Sequence, residues 1–324
     1  MGLALRAIII QTRIILNKLC DTNRRAVVLL VPVLLAACAS TPKSVETPEA
    51  PPSAPRVAAP KVPPRIGLAL GGGAARGFAH VGVIQVLEEA GIKPDVVVGT
   101  SAGSLVAALY ASGRNGQQLQ SVALDMDEAA FADWTLPIFS RGLLRGEALA
   151  RYVNGHVGHR TIENMAVPLG IVATDLGSGQ GVLFRRGDTG TAVRASSAVP
   201  AVFLPVKIGT KEYVDGGLVS PVPVRYARQM GAEVVLAVDI SSAPEGNPSS
   251  DPLQILLQTF AIMGKSINTW ELKEADVVVR PSLTGMSSAD FAAKRRAISA
   301  GRAAMQALLP QLKALLAAKA HPAQ

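Results

Sequence analysis

Three short segments of this chain carry residue types that could do chemistry. Gly99-Thr100-Ser101-Ala102-Gly103 follows the apolar run Val96 to Val98 and precedes an Ala/Leu-rich helical stretch. A GxSxG placed between strand and helix is the pattern of a nucleophile elbow: small residues on either side allow a sharp turn that projects the serine hydroxyl over the carboxyl edge of a sheet. Upstream, the apolar strand Ile66 to Leu70 runs into Gly71-Gly72-Gly73-Ala74-Ala75-Arg76-Gly77, with a helical pattern from about Phe78 to Ala90. Glycines at such a place let successive N–H groups face a phosphate or a developing oxyanion, and the motif alone does not choose between them. Downstream, Lys211-Glu212-Tyr213-Val214 reads as a short strand ending in Asp215-Gly216-Gly217. A carboxylate there could take a proton from the serine where water is excluded. An Asp-Gly hairpin turn accounts for the same residues equally well.

Other chemistries fit less well. Gly71, Gly73 and Gly77 form a GxGxxxG variant with Asp95 downstream, but Asp95 precedes its strand, whereas the acid of a dinucleotide site ends one. No Lys-Ser or Lys-Thr closes the glycine run, which excludes a P-loop. A serine base is usually a histidine, yet His80, His156, His159 and His321 fall in helical, polar or terminal stretches and read as surface or helix-packing residues. No set of His, Cys and carboxylates has metal-ligand spacing, so neither a metal nor a cofactor is expected.

The elements that must position these residues are those of an α/β layer fold. Strands are expected at Ile66 to Leu70, before Ser101, at Leu169 to Ala173, Gly181 to Phe184, Glu233 to Ile240 and Ala275 to Val279, a sheet of about six. Asp175 and Asp239 lie at or past strand ends and receive no catalytic role. Between Asp125 and Arg145, Phe131, Trp134, Leu136, Ile138 and Phe139 could line a channel for an apolar substrate or form a mobile cap, and packing of a peripheral helix onto the sheet accounts for them as well. The basic helix from about Ala289 to Ala318 could rest on a membrane surface, but the favoured expectation is a packed terminal helix with a solvated basic face.

Taken together, the glycine run at 71 to 77, Gly-Thr-Ser-Ala-Gly at 99 to 103, Arg194-Ala195-Ser196-Ser197-Ala198-Val199-Pro200 with Phe203 and Pro205, and Asp-Gly-Gly at 215 to 217 resemble the patatin-like phospholipase family, over Arg65 to roughly Leu309. The resemblance implies a three-layer α/β sandwich around a mostly parallel sheet. It also implies a Ser/Asp dyad with Ser101 as nucleophile and Asp215 as general base, an oxyanion hole from Gly71, Gly72 and Gly73 with Arg76 assisting electrostatically, and no need of histidine. The implied substrates are phospholipids, lysophospholipids or other acyl esters. The competing expectation is a membrane-tethered lipid-binding or regulatory module whose site is idle.

The N-terminus reads as an address. Arg24-Arg25, an apolar stretch from Ala26 to Ala37 interrupted by Pro32, and Leu35-Ala36-Ala37-Cys38 resemble the signal peptide and lipobox of bacterial lipoproteins, which implies that Cys38 is acylated. The expected domains are a signal peptide at 1–37, a lipidated cysteine and Pro/Ala-rich tether at 38–64, a hydrolase domain at 65–318 and a tail at 319–324. The expected location is the periplasmic face of the cell envelope, the outer membrane favoured because Ala39 and not Asp follows the cysteine. Half of the formal charge of +8 lies in the first 37 residues, and no basic cluster is interleaved with aromatics, which argues against nucleic acid as a partner. Oligomeric state is open.

Overall fold

The computed structural model describes residues 61–127, 133, 141–244, 250–287 and 289–322. The leader, Cys38, most of the tether and the aromatic stretch from Phe131 to Phe139 lie outside the described residues. In chain order the strands are β1 (Lys61–Val62), β2 (Ile66–Leu70), β3 (Val96–Thr100), β4 (Gly142–Leu144), β5 (Leu169–Asp175), β6 (Gly181–Phe184), β7 (Ala201–Phe203), β8 (Val206–Ile208), β9 (Lys211–Asp215), β10 (Val234–Val238), β11 (Val277–Val279) and β12 (His321–Pro322). The helices are α1 (Phe78–Glu89), α2 (Ala102–Ala111), α3 (Gly116–Asp125), α4 (Glu147–His156), α5 (Thr189–Ser196), α6 (Val224–Gln229), α7 (Pro252–Glu271) and α8 (Lys294–Ala318).

One sheet of eight strands organises the domain, in the order β11-β10-β2-β3-β5-β9-β8 with β6 also paired to β5. The run from β11 to β5 is parallel, and β6, β9 and β8 are antiparallel additions. The sheet therefore exceeds the expected six by two strands: β9, the short strand expected separately at Lys211 to Val214, joins it, and β8, only three residues long, is too short to register by apolar run length. β2, β3 and β10 are buried along their whole length, the condition under which a parallel strand is a continuous apolar run.

Alternate side chains serve two cores. Leu68, Leu70, Val97, Ile171 and Leu236 face a large core with α1, α2, α3 and α8, and Ala69, Val96, Val98, Val172 and Val235 face a smaller one with α6 and Leu272. This is the three-layer arrangement. Outside the main sheet, β1 pairs with β12, joining the end of the expected tether to the expected tail, and β4 pairs with β7.

The basic helix α8 is packed, and its cations are part of the packing. Lys294 donates to the carbonyls of Leu124 and Met126, and Arg302 pairs with Glu89 of α1. The two helices meet at glycines: a Cβ on Gly301 would stand 1.9 Å from the Ala79 carbonyl oxygen, and one on Gly82 would stand 2.0 Å from that of Ile298. No side chain fits between these backbones. Gly301→Ala is therefore expected to cost about 2–3 kcal/mol through overpacking, read as a lower urea midpoint. Gly155→Ala, whose new methyl meets nothing within 4 Å in α4, should be neutral or stabilising by the same measurement.

Candidate active site

Ser101 sits between β3 and α2 with φ 51° and ψ −123°. For a residue with a Cβ this conformation costs about 1–3 kcal/mol and persists only where the surroundings enforce it. The enforcement is visible. A Cβ on Gly99 would lie 2.4 Å from the Gly103 carbonyl oxygen, and one on Gly103 would lie 2.1 Å from that of Leu70, so strand, turn and helix touch backbone to backbone. The Ser101 N–H donates to Ser196 Oγ at 2.8 Å, and Ser196 Oγ donates in turn to the Val172 carbonyl at 2.5 Å. Ser104 Oγ donates to the Ser101 carbonyl and Thr100 Oγ1 to that of Ser220. The hydroxyl of Ser101 is what remains free to act.

Asp215 reaches the same place through strand register. Thr100 of β3 lies opposite Val172 of β5, and Asp215 of β9 lies opposite Ala173, the next residue along. Past Asp215 the chain runs close over this junction, since a Cβ on Gly216 would meet the Val172 carbonyl oxygen at 2.2 Å and Thr100 Cγ2 at 3.2 Å. The Asp215 backbone is held by its N–H to the Ala198 carbonyl and by Thr174 Oγ1 donating to its carbonyl. Its Oδ1 accepts the Gly217 N–H at 2.7 Å, while Oδ2 is buried with no partner among the described residues. Burial pushes the carboxyl up to about 6, against the opposing pull of the Gly217 N–H and of the nearby Ser101 hydroxyl. Ser101 is thus close enough to bias the carboxylate without forming a hydrogen bond of normal geometry to Oδ2.

The glycine loop departs from expectation in its donors. The Gly71 N–H is spent on the Val238 carbonyl and that of Gly72 on Pro221, so neither is free to meet an oxyanion in this conformation. The N–H groups of Gly73 and Ala74, at the open end of a 3-10 turn from Ala74 to Gly77, have no acceptor among the described residues, nor does that of Ala102 at the start of α2. Gly72 keeps a different requirement, because a Cβ there would press on Ser101 Cβ at 3.1 Å. Arg76 is engaged at the cleft border: its Nη2 donates to the Ser241 carbonyl at 2.8 Å, and burial lowers its pKa against the opposing charge of Asp239.

His80 is a functional neighbour that sequence reasoning missed. It is fully buried on α1, and its Nε2 stands 2.8 Å from the Gly71 carbonyl, which requires the Nε2–H tautomer. Burial holds its pKa down at about 4, so the ring is a neutral brace for the glycine loop. Ser196 is the second such residue, because nothing in the local pattern of 194–200 assigns its hydroxyl the Ser101 N–H as a partner. Asp175 and Asp239 are occupied locally, Asp175 by Lys211 and the turn at Gly177 and Ser178, Asp239 by Ser241 and Arg280.

Ser101 and Asp215 open onto one cleft of about 240 Å³ at the carboxyl ends of β2, β3 and β10. Gly72 and Gly73 line it beside Ser101, and its walls are largely apolar, with Val199 and Pro200 and with Leu257 and Phe260 of α7. None of the four histidines lines it. A larger hollow of about 400 Å³ beside Gln85, Glu88 and Arg302 is polar and offers no nucleophile. The smaller cleft combines a strained serine, a buried carboxylate and unpaired N–H donors, the parts that acyl transfer needs.

The model of the family described as patatin-like phospholipase matches residues 68–228, a span containing the glycine loop, Ser101 and Asp215. The chain belongs to the patatin-like phospholipase family. It is 35% identical over 201 residues to an uncharacterised NTE family protein of Mycobacterium tuberculosis, covering 58% of this chain and 52% of that one. Against the mouse patatin-like phospholipase domain-containing protein 6 it is 32% identical over 232 residues, covering 69% of this chain and 16% of the mouse protein. The chain spans about half the length of the mycobacterial relatives it matches. Among solved structures, VipD of Legionella pneumophila superposes with a TM-score of 0.53 at 15% identity, over 78% of this chain and 68% of that one, a likeness of fold.

The buried carboxylate of this patatin-like domain has a thermodynamic signature. Below pH 4 Asp215 is protonated whether folded or not. Between about pH 4 and pH 6 the folded chain holds a proton that the unfolded chain gives up, so stability falls by about 2–3 kcal/mol across that range and levels off above it. Asp215→Asn, which still accepts from Gly217, should match wild type near pH 4 and exceed its unfolding free energy by about 2 kcal/mol at pH 8, measured by urea denaturation at both pH values.

Proposed function

We propose that this chain is a lipid acyl hydrolase that works through a Ser101/Asp215 dyad. The observation carrying this reading is the placing of a strained serine and a buried, half-unpaired carboxylate at one end of an apolar cleft that no histidine lines. Ser101 Oγ attacks the ester carbonyl while its proton passes to Asp215 Oδ2. The oxyanion so formed is held by the N–H groups of Gly73 and Ala74, with Ala102 at the positive end of α2. Collapse breaks the ester C–O bond, and Asp215 returns the proton to the departing alcohol. Water then attacks the acyl-enzyme, giving its proton to Asp215 and releasing the fatty acid as Ser101 recovers its hydrogen. A carboxylate with a pKa of about 6 suits this work, being more basic than an exposed aspartate yet ionised at neutral pH. Arg76 contributes by holding the cleft border at Ser241.

The substrate class is the carboxylic ester of a lipid: a phospholipid, a lysophospholipid or a simpler acyl ester. Family membership and the apolar walls support it. The test is release of fatty acid from phospholipid, lysophospholipid and p-nitrophenyl butyrate. Ser101→Ala and Asp215→Asn should each lower kcat/KM by about 10³-fold or more, and wild-type kcat/KM should rise with pH through about 6 to a plateau. Undiminished turnover by Ser101→Ala, or a rate independent of pH between 5 and 7, would overturn the dyad.

The proposal extends to location. Cleavage before Cys38 and its acylation would leave a Pro/Ala-rich spacer between lipid anchor and domain, on the periplasmic face of an envelope membrane. Mass spectrometry of the mature protein should find an acylated cysteine as its first residue; an unmodified terminus or cleavage elsewhere removes the anchor.

A further inference from the structure

Helix α7 has two faces of unlike function. Leu257, Phe260, Ala261 and Gly264 line the cleft beside Ser101, and Asn268 and Glu271 continue that face into the domain, where both are buried. The opposite face is turned to solvent and is apolar. Ile255 is 53% exposed, Ile262 53%, Met263 43% and Trp270 69%, and at 100° per residue all four fall within one side of the helix, separated by Thr259 and Ser266. Over its 20 residues α7 carries two ionisable side chains, Lys265 and the buried Glu271. A solvent-facing helix normally shows charge on its outer side, and an uncharged, largely apolar stripe there marks a contact surface.

We propose that the outer face of α7 docks on a phospholipid surface and brings the cleft mouth to the membrane. The choice of a lipid surface over another occupant rests on the acyl-hydrolase reading, because this helix is itself a wall of the cleft and a lipid ester must leave its bilayer to enter it. Charge agrees with that choice. Lys265 is the one exposed charge on the helix, and the Lys273 ammonium stands 4.0 Å from the centre of the Trp270 ring just beyond its end. A tryptophan and a lysine side by side suit the boundary between acyl chains and anionic head groups. Among the described residues no helix is long and apolar enough to cross a membrane, so α7 would lie in the interface plane.

The test uses the full chain carrying Cys38→Ser and Ser101→Ala, so that neither an acyl anchor nor turnover affects binding. Co-sedimentation with phosphatidylcholine vesicles, with and without phosphatidylglycerol, is compared for this protein and for the same protein carrying Ile262→Ser with Trp270→Ser, or Met263→Glu. Each change should lower vesicle binding about tenfold, with phosphatidylglycerol raising binding before the change and an unaltered thermal midpoint showing that the fold is kept. With Ser101 restored, hydrolysis of vesicular phospholipid should fall in step while turnover of p-nitrophenyl butyrate stays within about twofold. Equal vesicle binding by all forms would overturn the proposal. So would binding that is unchanged while sedimentation shows a dimer lost, which assigns the face to a second copy. Absence of hydrolysis with every substrate would sink the acyl-hydrolase reading alone, since the binding arm still reports on the surface.

Discussion

The carboxylate of Asp215 is out of water beside a serine hydroxyl, with a single backbone N–H to offset its charge, and much of the fold is arranged to keep it there. Its position is not secured by ion pairs. The bridges flanking β9, Lys211 to Asp175 and Arg141 to Glu212, leave both cations largely exposed, where such pairs contribute little. Register does the fixing: β9 adds antiparallel to β5 at Ala173, and the glycine after Asp215 lets the chain pass over the end of β3 at a distance no side chain would tolerate. The same burial that makes Asp215 a stronger base makes it a destabilising residue at neutral pH. A site of this kind has to be supported by the packing around it, and the fully buried strands on either side of Ser101 supply that support.

The parts of this arrangement that were legible in the amino-acid sequence share one property: they are local. Val96 to Val98, the small residues around Ser101 and the glycine run after Leu70 are contiguous patterns whose geometry follows from sterics within a few residues. The nearness of Ser101 to Asp215 spans more than a hundred residues, and only the resemblance of several ordered motifs points to it; on its own Asp-Gly-Gly reads equally as a turn. What escaped was of two kinds. Backbone donors leave no side-chain signal, so the engagement of the Gly71 and Gly72 N–H groups by Val238 and Pro221, and the freedom of those of Gly73 and Ala74, depended on where β10 and the 220s segment came to lie. His80 was passed over because an isolated histidine on an apolar helix is most simply a packing residue. It is one, yet the atom it packs against is the carbonyl of the loop that lines the cleft.

Length and polarity explain the remaining difference in the sheet. β8 has three residues with Lys207 exposed at its centre, so an apolar run of strand length never forms there. β9 reads as a short strand in isolation, but nothing local shows that it adds to the sheet and carries Asp215 beside β5. The outer face of α7 presents the reverse case, a helix whose apolar positions surround most of its circumference. Such a pattern reads in sequence as a fully buried helix, and the structure instead leaves half of it in solvent.

Ser196 belongs to both the machinery and the wall. Its hydroxyl ends α5 and receives the Ser101 N–H, and within four residues the same segment supplies Val199 and Pro200 to the cleft lining. The wall of the cleft and the brace that sets the backbone of the serine are one short stretch of chain, tied to β5 through Val172. The residues that border the cleft and the hydroxyl that holds the Ser101 N–H thus lie within four positions of one another, so a change in the wall at Val199 or Pro200 is also a change next to the brace of the serine.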